Sequence, residues 1–262
     1  MTELFSLKGK RVLVTGGTRG LGRAISLQLA RAGASVLANY VRDVKAAELL
    51  GQEAATHGLV IETMRADLSS EKGMETLVAA VGTDAPLSAL IHCAATGVHR
   101  PFEQLTLRHF DWTFGLNLRA FFDLVQRLLP RFSQGASIVG ISSEGAVRAV
   151  PQYSLVGSSK GALEAMLRHL AVELAPRGIR VNILSPGTIL TDVWKVLPES
   201  EKRLAEAAER SVLKRLCTLE EVAQVAQFLC SDAASGIVGH TLVVDGGASI
   251  MDPVFPLEIQ RG

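Results

Sequence analysis

A single doubly wound α/β domain, with helices on both faces of a parallel seven-stranded sheet, is the fold class this chain predicts. Three observations predict it. β-Branched runs alternate with helical patterns along the chain, the mark of right-handed βαβ units. A glycine-rich turn joins the first such run directly to the first helix. No linker, internal repeat or low-complexity tract divides the 262 residues, a length one large domain accommodates.

The elements follow in order. "KRVLVT" (10–15) is a strand, and "GLGRAISLQLARAG" (20–33) is a helix with a glycine stop. "ASVLAN" (34–39) is the second strand, and Asp43 caps the helix over 44–58. Further strands are expected at 59–67, 88–95, 135–143, 178–187 and 239–247, separated by helices near 70–82, 106–131, 154–175 and 219–230. The stretch 188–216 interrupts this rhythm with an added, strongly charged helical segment. It begins at the C-terminal end of a strand, where such sheets bind ligands. It is read as a substrate lid or, alternatively, as a surface helix remote from ligand.

Composition sets limits. The net charge of +1 gives no reason to expect nucleic acid or an anionic membrane as the main partner. Hydrophobic residues at 48% and charged residues at 20% are ordinary for a soluble globular protein. No apolar run approaches the roughly 20 residues of a membrane helix, and "MTELFSLKGK" does not look like a secretory leader. The three cysteines, Cys93, Cys217 and Cys230, lack metal-ligand spacing. They are expected to be reduced thiols in a cytoplasm, with no metal site.

The turn "VTGGTRGLG" (14–22) carries glycines at 16, 20 and 22. They permit a tight turn and close approach of backbone to a pyrophosphate, which the following helix N-terminus holds. Nucleotide binding is therefore expected. The end of the second strand selects the nucleotide. An acidic residue there would bond the ribose 2′-hydroxyl of NADH, but this chain has Asn39, then Tyr40 and Arg42. Asp43 lies too far along and serves the helix cap. Arg19 and Arg42 can converge on a 2′-phosphate, or both are simply solvated. NADPH is the expected cofactor.

"TGGTRGLG", Asp67 in "RADLSS", Asn117 in "GLNLRA", Ser143 in "GISS", Lys160, "RVNILSPG" and "HTLVVDGG" together resemble the short-chain dehydrogenase/reductase superfamily over roughly residues 8–250. That resemblance implies a Rossmann-type sheet of order 3-2-1-4-5-6-7. It implies a cofactor held by Gly16, Thr18, Arg19, Gly20, Leu21, Gly22, Asn39, Tyr40, Arg42, Asp67, Leu68, Ala94 and Lys160. Pro186, Gly187, Ile189 and Thr191 would face the nicotinamide, and Ala95, Thr96 and Trp194 the substrate. His92, Cys93, Ala94 and Ala95 stand where the family usually has Asn-Asn-Ala-Gly, and His92 reads as a buried strand-end residue rather than a base. Members are commonly tetramers or dimers, and the apolar tail 250–262 would suit a subunit contact.

The family's catalytic set is Ser, then Tyr-x3-Lys, with the lysine holding the ribose and lowering the tyrosine's pKa. Four residues before Lys160 stands Val156, which has no proton to give. Tyr153 lies three places earlier, in "YSLVGSSK" (153–160), and this Tyr-x6-Lys spacing resembles the NADPH-dependent enoyl-thioester reductases. If helix extended through the segment, the two residues would share a face; Pro151 places Tyr153 at or before the first turn. "AATGVHRPFEQL" (94–105) and "GAVRAVPQYSLVG" (145–157) resemble the same group, whereas "LSPG" (184–187) is closer to ketoreductases. Ser143 polarises a carbonyl or only lines the site. Asn117 holds a helix bend that supports a water chain to the lysine, or makes a structural bond. The surplus of Lys195, Lys202, Arg203, Arg210, Lys214 and Arg215 over nearby glutamates suits coenzyme A phosphates or an acidic carrier protein, or is a solvated face. The function implied is NADPH-dependent reduction of an enoyl thioester. The alternatives are a carbonyl reductase and a non-catalytic NADPH-binding protein.

Overall fold

The computed structural model describes residues 3–191 and 199–251. Its strands are β1 (Arg11–Thr15), β2 (Ser35–Tyr40), β3 (Ile61–Arg65), β4 (Leu87–His92), β5 (Phe132–Ile141), β6 (Arg180–Pro186) and β7 (Thr241–Val244). They form one sheet of order β3-β2-β1-β4-β5-β6-β7, parallel at every pairing. This is the predicted topology. The helices are α1 (Gly20–Arg31), α2 (Val44–Thr56), α3 (Glu71–Val81), α4 (Leu107–Phe114), α5 (Ala120–Leu128), α6 (Ser154–Leu174), α7 (Ser200–Arg210) and α8 (Leu219–Cys230).

Successive strand side chains point to opposite faces, and two apolar cores result. Val12, Val14 and Ile91 pack with Ile25 and Leu29 of α1, Leu50 of α2, and Val222 and Leu229 of α8. Leu13, Leu90 and Ile138 pack on the other face with Leu77 of α3, Phe121 and Leu124 of α5, and Leu163 and Leu167 of α6. A sheet covered on both faces needs continuous apolar strands, which explains why β1 reads Val-Leu-Val without alternation.

Local chemistry trims the predicted boundaries. β5 stops at Ile141 because Ser143 leaves the sheet to cap the short turn Glu144–Ala146, its Oγ accepting from Gly145 N at 3.2 Å. β7 ends at Val244 because the Asp245 carboxylate accepts from Gly247 N and Ser249 N, turning the chain. The single helix expected over 106–131 is broken by a π-helical turn at Gly115–Arg119. Such turns insert one residue and concentrate at functional sites.

Asp43 is the N-cap of α2, its Oδ1 accepting from Ala46 N at 2.9 Å. Asp43→Ala should therefore lower stability by about 1 kcal/mol, with cofactor affinity unchanged. Urea unfolding and cofactor titration of the variant check this; a shift in affinity without loss of stability would contradict the capping role.

Candidate active site

Register places the site. Thr15 pairs with His92, His92 with Gly140, Ile141 with Leu184, and Pro186 with Val244, so one end of the sheet carries all of them. At β1 the chain turns on Gly16, whose φ of +64° favours glycine. A Cβ on Gly22 would lie 2.1 Å from Gly16 O, so α1 can approach the turn only with glycine there. Arg19 is the N-cap of α1 and gives no side-chain cap, leaving the first-turn N–H groups without a capping side chain. Bare N–H groups beside a glycine turn fit the pyrophosphate of a dinucleotide. A Cβ on Gly20 would touch Thr191 Cγ2 at 4.0 Å, so Thr191 stands across the mouth of this turn. Thr18 and Leu21 are buried beneath it, and Ile189 packs on the core behind. Gly187 bonds Val244 O at 3.0 Å and carries Pro186 and Thr188 along the same edge.

Asn39 departs from expectation. It is 1% exposed, and its amide donates to Ala66 O at 2.9 Å, tying the end of β2 to the turn after β3. Its side chain is thus a structural tie and not a ribose contact. Tyr40 is half-buried beside it, while Arg19 and Arg42 are exposed, their guanidinium groups making no hydrogen bond or ion pair among the described residues. Asp67 is exposed at the end of β3, its carboxylate accepting from Ser69 N and Oγ, and Leu68 is buried.

The end of β4 is organised by Thr15, which the sequence reading missed. Its Oγ1 accepts from Cys93 N at 3.2 Å and Ala94 N at 3.1 Å, and lies 3.1 Å from His92 Nδ1. With both lone pairs taken, the hydroxyl proton goes to Nδ1, and His92 carries its own proton on Nε2. Backbone N–H groups make these contacts, so the unusual His92-Cys93 pair does not disturb them. His92 is fully buried, and burial first, then the Lys160 charge, lowers its pKa to about 3. It is no base at neutral pH, as expected. The folded chain leaves His92 unprotonated above about pH 3, whereas the unfolded residue gains a proton below about 6.5. Stability from this group is full above 6.5 and is lost as pH falls toward 3. Unfolding by urea at pH 7 and pH 5 should show a smaller loss for His92→Asn than for the parent; equal losses would contradict this.

β5 and α6 supply the remaining groups. Lys160, on the second turn of α6, is buried and donates from Nζ to Ile141 O at 2.7 Å. Burial lowers its pKa to about 8, the Cys93 thiol opposing that shift, so it stays mostly cationic at pH 7. Burial pushes the Cys93 thiol up to about 11. Tyr153 is the N-cap of α6, not part of its helical face, with φ −117° and ψ 9°. Its hydroxyl donates to Ser143 Oγ at 3.4 Å. The two side chains meet through the end of β5, Lys160 on Ile141 and Tyr153 on Ser143. Contrary to expectation, the phenol's pKa is raised, by burial first and the Glu144 charge, with the Ser143 bond opposing; lysine is not a cause. Tyr153 is a neutral donor. Val156 fills the usual tyrosine slot as a buried residue, and a Cβ on Gly97 would strike its Cγ2 at 2.1 Å.

Asn117 sits in the π-turn and is fully used. Its Oδ1 accepts from Thr96 N at 2.8 Å, and its Nδ2 donates to Thr96 O and Ser159 Oγ, each at 2.9 Å. The side chain holds the bend and pins the β4–α4 loop that presents Ala95 and Thr96. α7 lies near this loop, since the charge of its Arg203 acts on His99. Arg215 and Lys214 are paired with Glu221 and Glu209, which reduces the free positive surplus. Trp194, with Val193, Lys195 and Val196, falls outside the described residues, as does the tail beyond Met251. Among the described residues no helix is long and apolar enough to cross a membrane.

Comparison with known proteins agrees with this geometry. The family model described as enoyl-(acyl carrier protein) reductase matches residues 16–249. A 1-cyclohexenylcarbonyl-CoA reductase of Streptomyces collinus is 35% identical, over 93% of this chain and 88% of its own. The L-xylulose reductase of Bos taurus is 34% identical, over 92% of this chain and 97% of its own. A proposed NAD(P)-dependent gluconate 5-dehydrogenase from Beutenbergia cavernae, solved with NADP at low occupancy, is 32% identical with a TM-score of 0.89, covering 95% of this chain and 100% of its own. A glycine turn shaped for a dinucleotide, a buried lysine and a phenol at one sheet edge, and these relatives lead to one conclusion: the chain is a nicotinamide-dependent oxidoreductase and belongs to the short-chain dehydrogenase/reductase superfamily.

Proposed function

We propose that the protein reduces the C=C bond of an enoyl thioester, carried on coenzyme A or an acyl carrier protein, with NADPH. The observation that carries this reading is the displacement of the phenol: Val156 fills the usual slot, and Tyr153 stands before α6 with its hydroxyl against Ser143. The bound dihydronicotinamide supplies the hydride. In a ketone the carbon that is reduced bears the oxygen directly. In an enoyl thioester the β-carbon is reduced and charge gathers on an oxygen three bonds away, so the hydrogen-bond donor must be displaced too. Tyr153, neutral and backed by Ser143, donates to that oxygen. Lys160 holds the cofactor ribose, and Asn117 fixes the loop facing the substrate. Arg19 and Arg42 favour NADPH, being cations at the adenosine end whose side chains have no partner among the described residues. The relative from Streptomyces collinus, by its name, acts on a cyclic enoyl-CoA, which supports the class.

A second reading, carbonyl reduction, is favoured by Ser143 and by the relatives named as an L-xylulose reductase and a gluconate 5-dehydrogenase. α7 is the lid in either case, and a dimer or tetramer in a cytoplasm is the assembly and setting proposed. Mass analysis decides between the readings. Crotonyl-CoA with NADPH should yield butyryl-CoA; formation of 3-hydroxybutyryl-CoA from acetoacetyl-CoA, with no butyryl-CoA in the parallel reaction, would overturn the first.

A further inference from the structure

Tyr153 has no helix around it to fix its ring, since α6 begins one residue later. What holds it comes from elsewhere. Behind the ring are two glycines: a Cβ on Gly145 would lie 2.5 Å from Tyr153 Cε1, and one on Gly157 would lie 3.5 Å from Cδ1. Without side chains, these glycines leave a flat bed under the ring. Among the described residues the aromatic contact of the phenol is His99, in the β4–α4 loop, whose ring meets it edge-on at 5.1 Å between centroids and 68° between planes. The next residue of that loop, Arg100, donates from its backbone N to Gln152 O at 3.2 Å. Gln152 has a left-handed φ of +61°, a conformation costly for a residue with a side chain. The loop thus grips the chain both at the ring and one residue before it.

We infer that His99 is a positioning residue for Tyr153, its ring acting as the wall that keeps the phenol turned toward Ser143 and the end of β5. The inference rests on the reading of Tyr153 as the donor to substrate. His99 is neutral at pH 7, held below the ordinary histidine value first by partial burial and then by Arg203 of α7, so it meets the phenol as an uncharged aromatic edge. The role needs a ring and not an imidazole nitrogen. An edge-to-face contact of this kind is worth about twofold to tenfold in population of the correct ring orientation.

The test compares His99→Ala and His99→Phe with the parent in kcat and KM, on whichever of crotonyl-CoA and acetoacetyl-CoA the parent reduces. His99→Ala should lower kcat about twofold to tenfold with KM nearly unchanged, and His99→Phe should restore most of it. Unchanged kcat in the alanine variant overturns the inference, and so does equal loss in both variants, which would assign the effect to the imidazole nitrogens. Reduction of the ketone alone would remove the enoyl reading and leave this comparison intact. A readout free of turnover covers a parent silent on both substrates. In a Tyr40→Phe background Tyr153 is the sole phenol, and its ultraviolet titration midpoint should drop toward the ordinary 10 in His99→Ala. An unmoved midpoint would also overturn the inference.

Discussion

Tyr153→Phe should lower kcat by about 10²–10⁴-fold, the range for loss of a positioned proton or hydrogen-bond donor. Only the hydroxyl is removed. The ring keeps its bed on Gly145 and Gly157 and its edge contact with His99, and the single bond lost is the 3.4 Å one to Ser143. Folding stability and NADPH affinity should therefore stay near the parent's, separating a chemical effect from a structural one. No other phenol can substitute, because the second tyrosine, Tyr40, ends β2 on the far side of β1. Steady-state rates and a cofactor titration of the variant check this. A kcat within threefold of the parent would contradict Tyr153 as the donor.

Gly22→Ala should weaken cofactor binding on the order of 10²-fold and cost about 1–3 kcal/mol of stability. Its new Cβ would sit 2.1 Å from Gly16 O and 2.9 Å from Gly16 C, both backbone atoms that no rotamer change relieves. The glycine turn must open, and displacing the phosphate-facing N–H groups by about 1 Å costs on the order of 10²-fold. Gly51→Ala is the control. It lies within α2 with nothing within 4 Å of the added atom, and should stabilise by about 0.5–1 kcal/mol without changing affinity. Calorimetry and fluorescence titration of both variants measure the contrast; equal behaviour would contradict a turn shaped by close approach.

The sheet was legible because burial on both faces forces continuous apolar strands, and the glycine turn because no other residue tolerates that backbone and that approach. Asp43 was legible as a cap because a carboxylate ahead of a helix has one obvious donor. Asn39 was misplaced since a polar residue at a strand end looks like a ligand contact until its amide is seen to be tied to Ala66. The bend at Asn117 was legible only through the family resemblance, because it depends on Thr96 and Ser159, 21 residues before and 42 residues after it. The lysine's influence on Tyr153, which the resemblance implied, is absent from the causes of the phenol's shift, and Tyr153 stands ahead of α6 as its N-cap, where Pro151 had placed it. Thr15 and His99 act through contacts with β4 and Tyr153 that no local pattern announces, although His99 lies in a run already resembling enoyl reductases.

The most direct measurement is the ratio of kcat/KM for crotonyl-CoA to that for acetoacetyl-CoA, with NADPH in excess and the parent protein. A displaced tyrosine that follows the thioester oxygen predicts a ratio well above one, lost in Tyr153→Phe. A ratio below one, with turnover of the ketone lost in the same variant, would show that the displaced phenol serves a carbonyl and contradict the account.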